Sequence, residues 1–257
     1  QGVAFSVDND LTLLENSSVY NDQIIVAKGV WDEDLQDMVY TFTPIDAPMD
    51  VSARPYDMKI AFAPDGLTGY ISVIGNDGNA EQQSGYSNLY PIIWKTTDGG
   101  DNWTGPEFIQ LDGSNGLGGI VYHHFTDQQL EELFEPPIPA REDISYTTAF
   151  DHDVAVDKFG NLHIAIVIGL TGETAQTIST AAGIEAAVDI FTTDGGNTWF
   201  VEEMGRPNTF RGEFPDDTYS EDNRIRITTN WEADRIFISR LDRKSTRLNP
   251  VTWPSRM

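Results

Sequence analysis

One stretch of this chain recurs 94 residues later. Ile60-Ala-Phe-Ala-Pro-Asp-Gly66-Leu-Thr-Gly-Tyr-Ile-Ser-Val-Ile-Gly75 aligns without a gap to Val154-Ala-Val-Asp-Lys-Phe-Gly160-Asn-Leu-His-Ile-Ala-Ile-Val-Ile-Gly169, and Ala, Gly, Val, Ile and Gly recur in register. Each copy is a pair of apolar runs around turn residues, Pro64-Asp65-Gly66 in the first and Lys158-Phe159-Gly160-Asn161 in the second. That pattern predicts strand, tight turn, strand. A repeat constrains the fold more than composition does, because each unit is a block that buries its apolar faces only by packing on its neighbours.

A second element travels with each copy. It reads Thr96-Thr-Asp98-Gly-Gly100-Asp-Asn102-Trp103 in the first and Thr192-Thr-Asp194-Gly-Gly196-Asn-Thr198-Trp199 in the second, 96 residues apart. The expected physics is local. An Asp carboxylate accepts hydrogen bonds from the N–H groups of its own turn, and glycines take positive φ at no steric cost. The indole covers the hairpin, and its complete burial is worth about 4–6 kcal/mol as an upper bound. These strings resemble the Asp-box, S/T-x-D-x-G-x-T/N-W, of sialidases and many other β-propeller proteins. The resemblance implies an all-β fold, a β-propeller of four-stranded blades with Asp-box hairpins, incomplete in this chain. It implies structural roles for Thr96, Asp98, Gly100, Trp103, Thr192, Asp194, Gly196 and Trp199, with the turns lying away from any catalytic centre.

A fainter third copy runs from Ile225-Arg-Ile-Thr-Thr-Asn-Trp231 to Ser239, alternates with period two and turns at Asn230 to Asp234. Its own Asp-box would fall beyond Met257. The repeat sets the boundaries: N-terminal strands of a partial blade in 1–50, a blade with its Asp-box in 51–110, an insertion in 111–148, a second such blade in 149–205, a partial blade in 206–240, and a tail in 241–257. In 1–50 the strand-like runs are Gln23 to Gly29 and Met38 to Thr43. The insertion combines a Gly-rich stretch with one short helix. Thr126-Asp-Gln-Gln129 is a capping-box signature, and Pro136-Pro137 ends that helix after about two turns. Insertions on a rigid scaffold are where binding surfaces are commonly carried.

From Arg240 onward the composition inverts. Arg240, Arg243, Lys244, Arg247 and Arg256 face a single acid, Asp242, whereas the preceding 239 residues hold 11 basic and 40 acidic ones. So abrupt a change in mid-blade reads as loss of the native frame, with a genuine basic extension as the alternative. The chain starts at Gln1 with neither a basic n-region nor an apolar h-region, so any secretion signal is expected to have been removed or never to have been present.

The net charge of −25 repels nucleic acid and anionic membrane surfaces. No run nears the roughly 18 apolar residues of a membrane helix. Neither nucleic-acid binding nor membrane insertion is expected. There are no cysteines, hence no disulfides and no thiolate metal sites. An exported or cell-surface location, bacterial in origin, suits this composition.

Catalysis of the sialidase kind would need three arginines around a carboxylate, a Tyr activated by a Glu, and an Asp acid/base. In the family an Arg in an R-I-P string precedes the first Asp-box. Here Arg54-Pro55 lies upstream of Asp98 without the Ile. Tyr219, with Glu213 or Glu221 and Arg211 or Arg224, completes a set on paper, but ordinary surface and blade residues are the simpler reading. Asp151-His152-Asp153 at a strand start would put both aspartates on one face and the histidine on the other. Joined by His163 or by the His123-His124 pair, it would suit a divalent metal. No complete D-x-[DN]-x-[DN]-G loop occurs. No cofactor is therefore expected, with calcium on scattered acidic turns left open. The favoured function is a non-enzymatic binding or scaffold module taking a glycan, a protein or further copies of itself. The alternative is a sialidase-like exo-glycoside hydrolase whose remaining catalytic residues lie outside this fragment.

Overall fold

The computed structural model describes residues 3–14, 17–47, 49, 55–76, 78, 88–172, 177–179 and 184–206, and three later strands at 225–230, 235–240 and 249–252. For 9–22 and for those three strands the backbone path alone is described. Within these residues the chain is all-β with one α-helix, and its strands form four antiparallel sheets.

The first sheet is a meander of β1 (Val3–Leu14), β2 (Ser17–Asp32) and β3 (Asp37–Asp46). Both strand-like runs of the N-terminal region lie inside β2 and β3. β1 was not legible, because Asp8, Asn9 and Asp10 break its apolar run. The second sheet holds β4 (Asp57–Phe62), β5 (Gly69–Gly75), β6 (Tyr90–Thr96) and β7 (Thr104–Phe108) in sequence order. The third holds β8 (Tyr146–Thr148), β9 (Asp153–Val156), β10 (Leu162–Leu170), β11 (Ala186–Thr192) and β12 (Trp199–Gly205). A fourth pairs β13 (Ile225–Asn230), β14 (Arg235–Arg240) and β15 (Asn249–Thr252). Both aligned repeats are thus hairpins, β4–β5 and β9–β10. The third copy forms β13–β14, and the stretch read as a tail contributes β15 to the same sheet.

Central strands read as continuous apolar runs because both of their faces are covered. All seven residues of β5 are buried, whereas the edge strand β7 is exposed at four of five. One core unites the facing sides of the first three sheets and is built on Ile24, Ile71, Ile92, Trp94, Ile164 and Ile190. A separate small cluster of Ala155, Ala165 and Met204 lies on the other side of the third sheet.

Two departures from simple sheets position the polar residues. Where the second sheet has one continuous first strand, the third has two short ones. β9 pairs with the start of β10 and β8 with its end. The break at Ala149–His152 lets His152 leave its own sheet. Between Leu111 and Ser145 the insertion folds as 3-10 turns around one helix, α1 (Asp127–Leu133). Thr126 caps α1 with a reciprocal capping box to Gln129, as its sequence predicts.

Candidate functional site

The two Thr-x-Asp-x-Gly turns, joining β6 to β7 and β11 to β12, share one hydrogen-bond pattern. Thr96 Oγ1 donates to Asp98 Oδ1 at 2.8 Å and accepts from the Gly100 N–H at 3.0 Å. Asp98 Oδ1 then accepts from the Asn102 N–H at 2.9 Å, and the Asn102 side chain donates to Oδ2 at 2.7 Å. In the second turn Thr192 Oγ1 donates to Asp194 Oδ1 at 2.9 Å, Gly196 N–H donates to Thr192 at 2.8 Å, and Thr198 N–H donates to Asp194 Oδ1 at 2.9 Å. Gly99, Gly100, Gly195 and Gly196 all have positive φ. The donors from Asn102 and Thr96 hold Asp98 down at about 2. The Thr198 hydroxyl and amide likewise lower Asp194. Both carboxylates are consumed by their own loops and face solvent, which leaves them nothing to do in acid–base chemistry. Trp103 packs on the core, edge-on to Phe62 at 6.1 Å. Trp199 donates from Nε1 to Glu107 Oε1 at 2.8 Å and walls a cleft of about 240 Å³ with Tyr70 and Lys95.

His152 makes a second polar group. Its N–H and its Nδ1 both reach Asp57 Oδ2, at 3.0 and 2.8 Å, and its Nε2 lies 3.0 Å from Ser72 Oγ. Lys59 donates to both Asp57 oxygens at 2.6 and 2.7 Å. Burial pushes Asp57 up, but the hydrogen bonds from His152 and Lys59 outweigh it and hold the carboxyl well below the usual range. The order Asp, His, Ser is that of a hydrolytic triad. Its environment is not: Ser72 is fully buried, and the His152 side chain has no solvent exposure. A nucleophile that no substrate can approach is a structural hydroxyl, and this trio ties the second sheet to the third.

The third polar group lies at the opposite end of the sheets from the turns, where the insertion begins and returns. Asp112 is fully buried. Its Oδ1 accepts from the Tyr146 N–H at 2.5 Å and its Oδ2 from Asn88 Nδ2 at 2.7 Å, which closes the base of the insertion. Asn88 in turn accepts at Oδ1 from Thr171 Oγ1 (3.0 Å) and at its carbonyl from Asn76 Nδ2 (2.8 Å). Burial takes Asp112 up to about 7 against these bonds, and pushes the Tyr146 phenol, whose hydroxyl is unpartnered, up to about 12. Glu185 is fully buried with both carboxylate oxygens unpartnered, and burial raises it too. Above this floor the insertion and the third sheet enclose a cleft of about 120 Å³, lined by Ile120, Val121, His123, Val188, Val201 and Glu203. Arg206 bridges its rim from Glu203 to the His124 carbonyl.

Among the sequence-derived candidates, the eight turn residues are brought together in two sets of four. Arg54, Arg211, Glu213, Tyr219, Glu221 and Arg224 fall outside the described residues. The four histidines do not meet. His152 binds Asp57 and Ser72, His163 binds Asp189 at 2.9 Å, and His124 Nε2 lies 3.0 Å from the Ile184 carbonyl. Among the described residues no three His, Asp or Glu side chains converge as metal ligands. Asp57, Ser72, Asp112, Asn88 and Glu185 escaped sequence reasoning, since each is an isolated polar residue beside an apolar run. No helix among the described residues is long and apolar enough to cross a membrane.

No family model matches the chain, and no curated protein matches it in sequence. Among solved structures, that of the polysaccharide lyase Uly1 is similar at 12% identity and a TM-score of 0.38, over 93% of this chain and 47% of that one. The chain spans about half the length of that structure.

Proposed function

We propose that this chain is part of an exported β-propeller whose two Thr-x-Asp-x-Gly turns are Asp-boxes, and that it serves as a non-catalytic module binding a glycan or protein ligand. The observation that carries the reading is the duplicated turn: one hydrogen-bond pattern, 96 residues apart, each copy closing the last hairpin of an antiparallel sheet stacked on its neighbour. Stacked sheets with equivalent hairpins on one edge are the arrangement of propeller blades. Non-catalytic action is supported by the chemistry of the polar groups. Both turn carboxylates are consumed locally, and the Ser72–His152–Asp57 arrangement is sealed from solvent. Ligand binding then falls to the insertion end, where His123 lines the cleft with Tyr122 packed edge-on against it and the hydrogen-bonded base of the insertion lies nearby.

The test pairs two assays on the purified chain. On immobilised glycan panels it is expected to show saturable binding that Tyr122→Ala and His123→Ala weaken. With fluorogenic sialosides and related glycosides it is expected to release no fluorophore. Turnover that disappears in Arg54→Ala would replace this reading with the glycoside hydrolase. Neither binding nor turnover would leave a scaffold.

A further inference from the structure

The two turns carry the same tryptophan in different settings. Trp103 Nε1 is buried without a hydrogen-bond partner, so the turn itself does not require an acceptor for its indole. Trp199 Nε1 nevertheless donates to Glu107 Oε1 at 2.8 Å, from the third sheet to the second and across 92 residues. A bulge in β7 puts the carboxylate there. Ile93 faces Glu107 and Lys95 faces Thr104, so Gly105 and Pro106 together stand opposite Trp94. Only glycine fits the first of these positions, where a Cβ would meet the Ile93 carbonyl oxygen at 2.7 Å. The cleft of about 240 Å³ lies between this bulge and the turn at Gly195 to Asn197.

The polar groups of this cleft are only partly used. Glu107 is exposed, and its Oε2 accepts no hydrogen bond among the described residues. Lys95 lies over the Tyr70 ring and gives one of its three N–H donors to the Gly195 carbonyl at 2.6 Å. Asn197 donates its amide to the Asp194 carbonyl at 2.8 Å and keeps its side-chain oxygen. Lys95 and Glu107 share the cleft without pairing with each other, the ammonium being held by the turn and the carboxylate by the indole. A ligand that meets an ammonium and a carboxylate held apart must both accept and donate hydrogen bonds. It is also best uncharged. Burial raises the Tyr70 phenol of the lining to about 12, and Asp157, Glu107 and Asp194 push it the same way. Together with a net charge of −25 this local field repels anions, while Lys95 opposes a cation. The volume falls below the roughly 300–1,000 Å³ of a drug-sized site, which restricts the occupant to one small unit. Trp199 offers an aromatic wall to the C–H groups of a sugar ring.

We propose that this cleft between the second and third sheets binds a single uncharged pyranose unit. Trp199 forms its apolar wall, Glu107 Oε2 and Asn197 Oδ1 accept from its hydroxyls, and Lys95 donates to one of them. The site is separate from the insertion cleft and does not rest on the reading given to that cleft. The turn carboxylates Asp98 and Asp194 take no part, since their own loops hold them.

The indole N–H signals of the whole chain in proton–nitrogen correlation NMR test this. The six tryptophans give six such signals, and Trp103→Phe and Trp199→Phe assign the two from the turns. The probes are methyl β-glucopyranoside, methyl β-galactopyranoside and methyl α-mannopyranoside, set against the anionic methyl β-glucuronide. At least one neutral glycoside is expected to move the Trp199 signal saturably while the Trp103 signal stays in place. Asn197→Ala and Lys95→Met should each weaken that binding at least about fivefold, the loss of one hydrogen bond, and Tyr122→Ala and His123→Ala should leave it unchanged. The other indole signals report whether each variant is folded, and Glu107→Gln, an exposed change, repeats the test where one is not. If no neutral glycoside moves the Trp199 signal, the site is wrong. If binding survives Asn197→Ala and Lys95→Met but is lost in Tyr122→Ala, the sugar sits at the insertion cleft, and this inference falls while the reading of that cleft stands. Tighter binding of the glucuronide than of every neutral glycoside would overturn the ligand class.

Discussion

The two ends of the stacked sheets are held by different kinds of contact. At the turn end the bonds that shape each loop are close in sequence: Thr96, Asp98, Gly100 and Asn102 satisfy one another within a single loop, and the long-range bonds there, Lys28 to Asp101, Lys95 to Gly195 and Trp199 to Glu107, come from outside that ring. At the insertion end the bonds of Asp112 and Asn88 span 24, 34 and 83 residues. A local loop can form before its sheet is packed. A long-range network exists only once the sheets and the insertion are in place, and its buried members lose their water without replacement if one partner is removed. The turn end should therefore fail locally and the insertion end globally.

The largest effect is expected from Asp112→Ala, which strands the Tyr146 N–H and the Asn88 amide in the interior. A loss of about 3–4 kcal/mol is expected in urea denaturation. Asp112→Asn sharpens the comparison through pH. Burial raises this carboxyl to about 7, so the native state holds the proton more tightly than the unfolded chain does. Its contribution is complete below the ordinary carboxylate range and declines as pH rises through 7. The parent chain should lose stability between about pH 4 and 7 to an extent that Asp112→Asn does not. Equal slopes in the two proteins would remove Asp112 from this role.

The Asp57–His152–Ser72 trio comes next. His152→Ala is expected to cost about 2–3 kcal/mol, because it leaves Asp57 without its main partner between two sheets. Ser72→Ala should cost about 1 kcal/mol, the net worth of one buried hydrogen bond. Asp57 is held low in the native state, so its share of stability is present above the ordinary carboxylate range and fades as pH falls below about 4. A fluorophosphonate should not label Ser72 in the folded chain. Labelling at Ser72 would show that the trio opens to solvent and would reopen the question of catalysis.

This contrast also explains what could be read from the sequence. The hairpins at Asp65 and Gly160, the α1 cap at Thr126 and both Asp turns were legible, because each depends on residues within a few positions of one another. His152 was singled out only by its neighbours Asp151 and Asp153. The structure turns it toward Asp57 and Ser72, 95 and 80 residues away, which no local pattern encodes. Lys95 is equally opaque. In sequence it interrupts an apolar strand, and only the stacking of two sheets shows that its ammonium belongs to Gly195, 100 residues on. Glu185 carries no signal at all, since nothing near it in sequence distinguishes a buried carboxylate from a surface one.

Within the turn end, the two tryptophans should separate. Both pack against the main core, but Trp103 also meets Phe62 edge-on, whereas Trp199 borders an open cleft and binds Glu107. Partial burial keeps both well below the full value of an indole. Trp103→Ala is expected to cost about 1–2 kcal/mol and Trp199→Ala less. The reverse order in thermal unfolding would show that the Glu107 contact outweighs core packing.

The smallest effects belong to the turn aspartates, and they differ in the kind of second contact. Asn102 adds its side-chain amide, at 2.7 Å on Oδ2, to its N–H on Oδ1, while Thr198 adds only a hydroxyl to its N–H. Asp98→Ala should therefore disturb its loop more than Asp194→Ala does, and neither should move the global midpoint as far as any substitution above. The readout is the exchange rate of the Asn102 and Thr198 amides, the N–H groups that lose their acceptor. Exchanging the two residues isolates the bond itself. Thr198→Asn should slow exchange in the second turn toward that of the first, and Asn102→Thr should do the opposite, with Trp103 and Trp199 unchanged in each. If the exchange follows the tryptophan instead of the residue before it, the turns are held by their packing, and the shared carboxylate pattern is a consequence of the loop's shape.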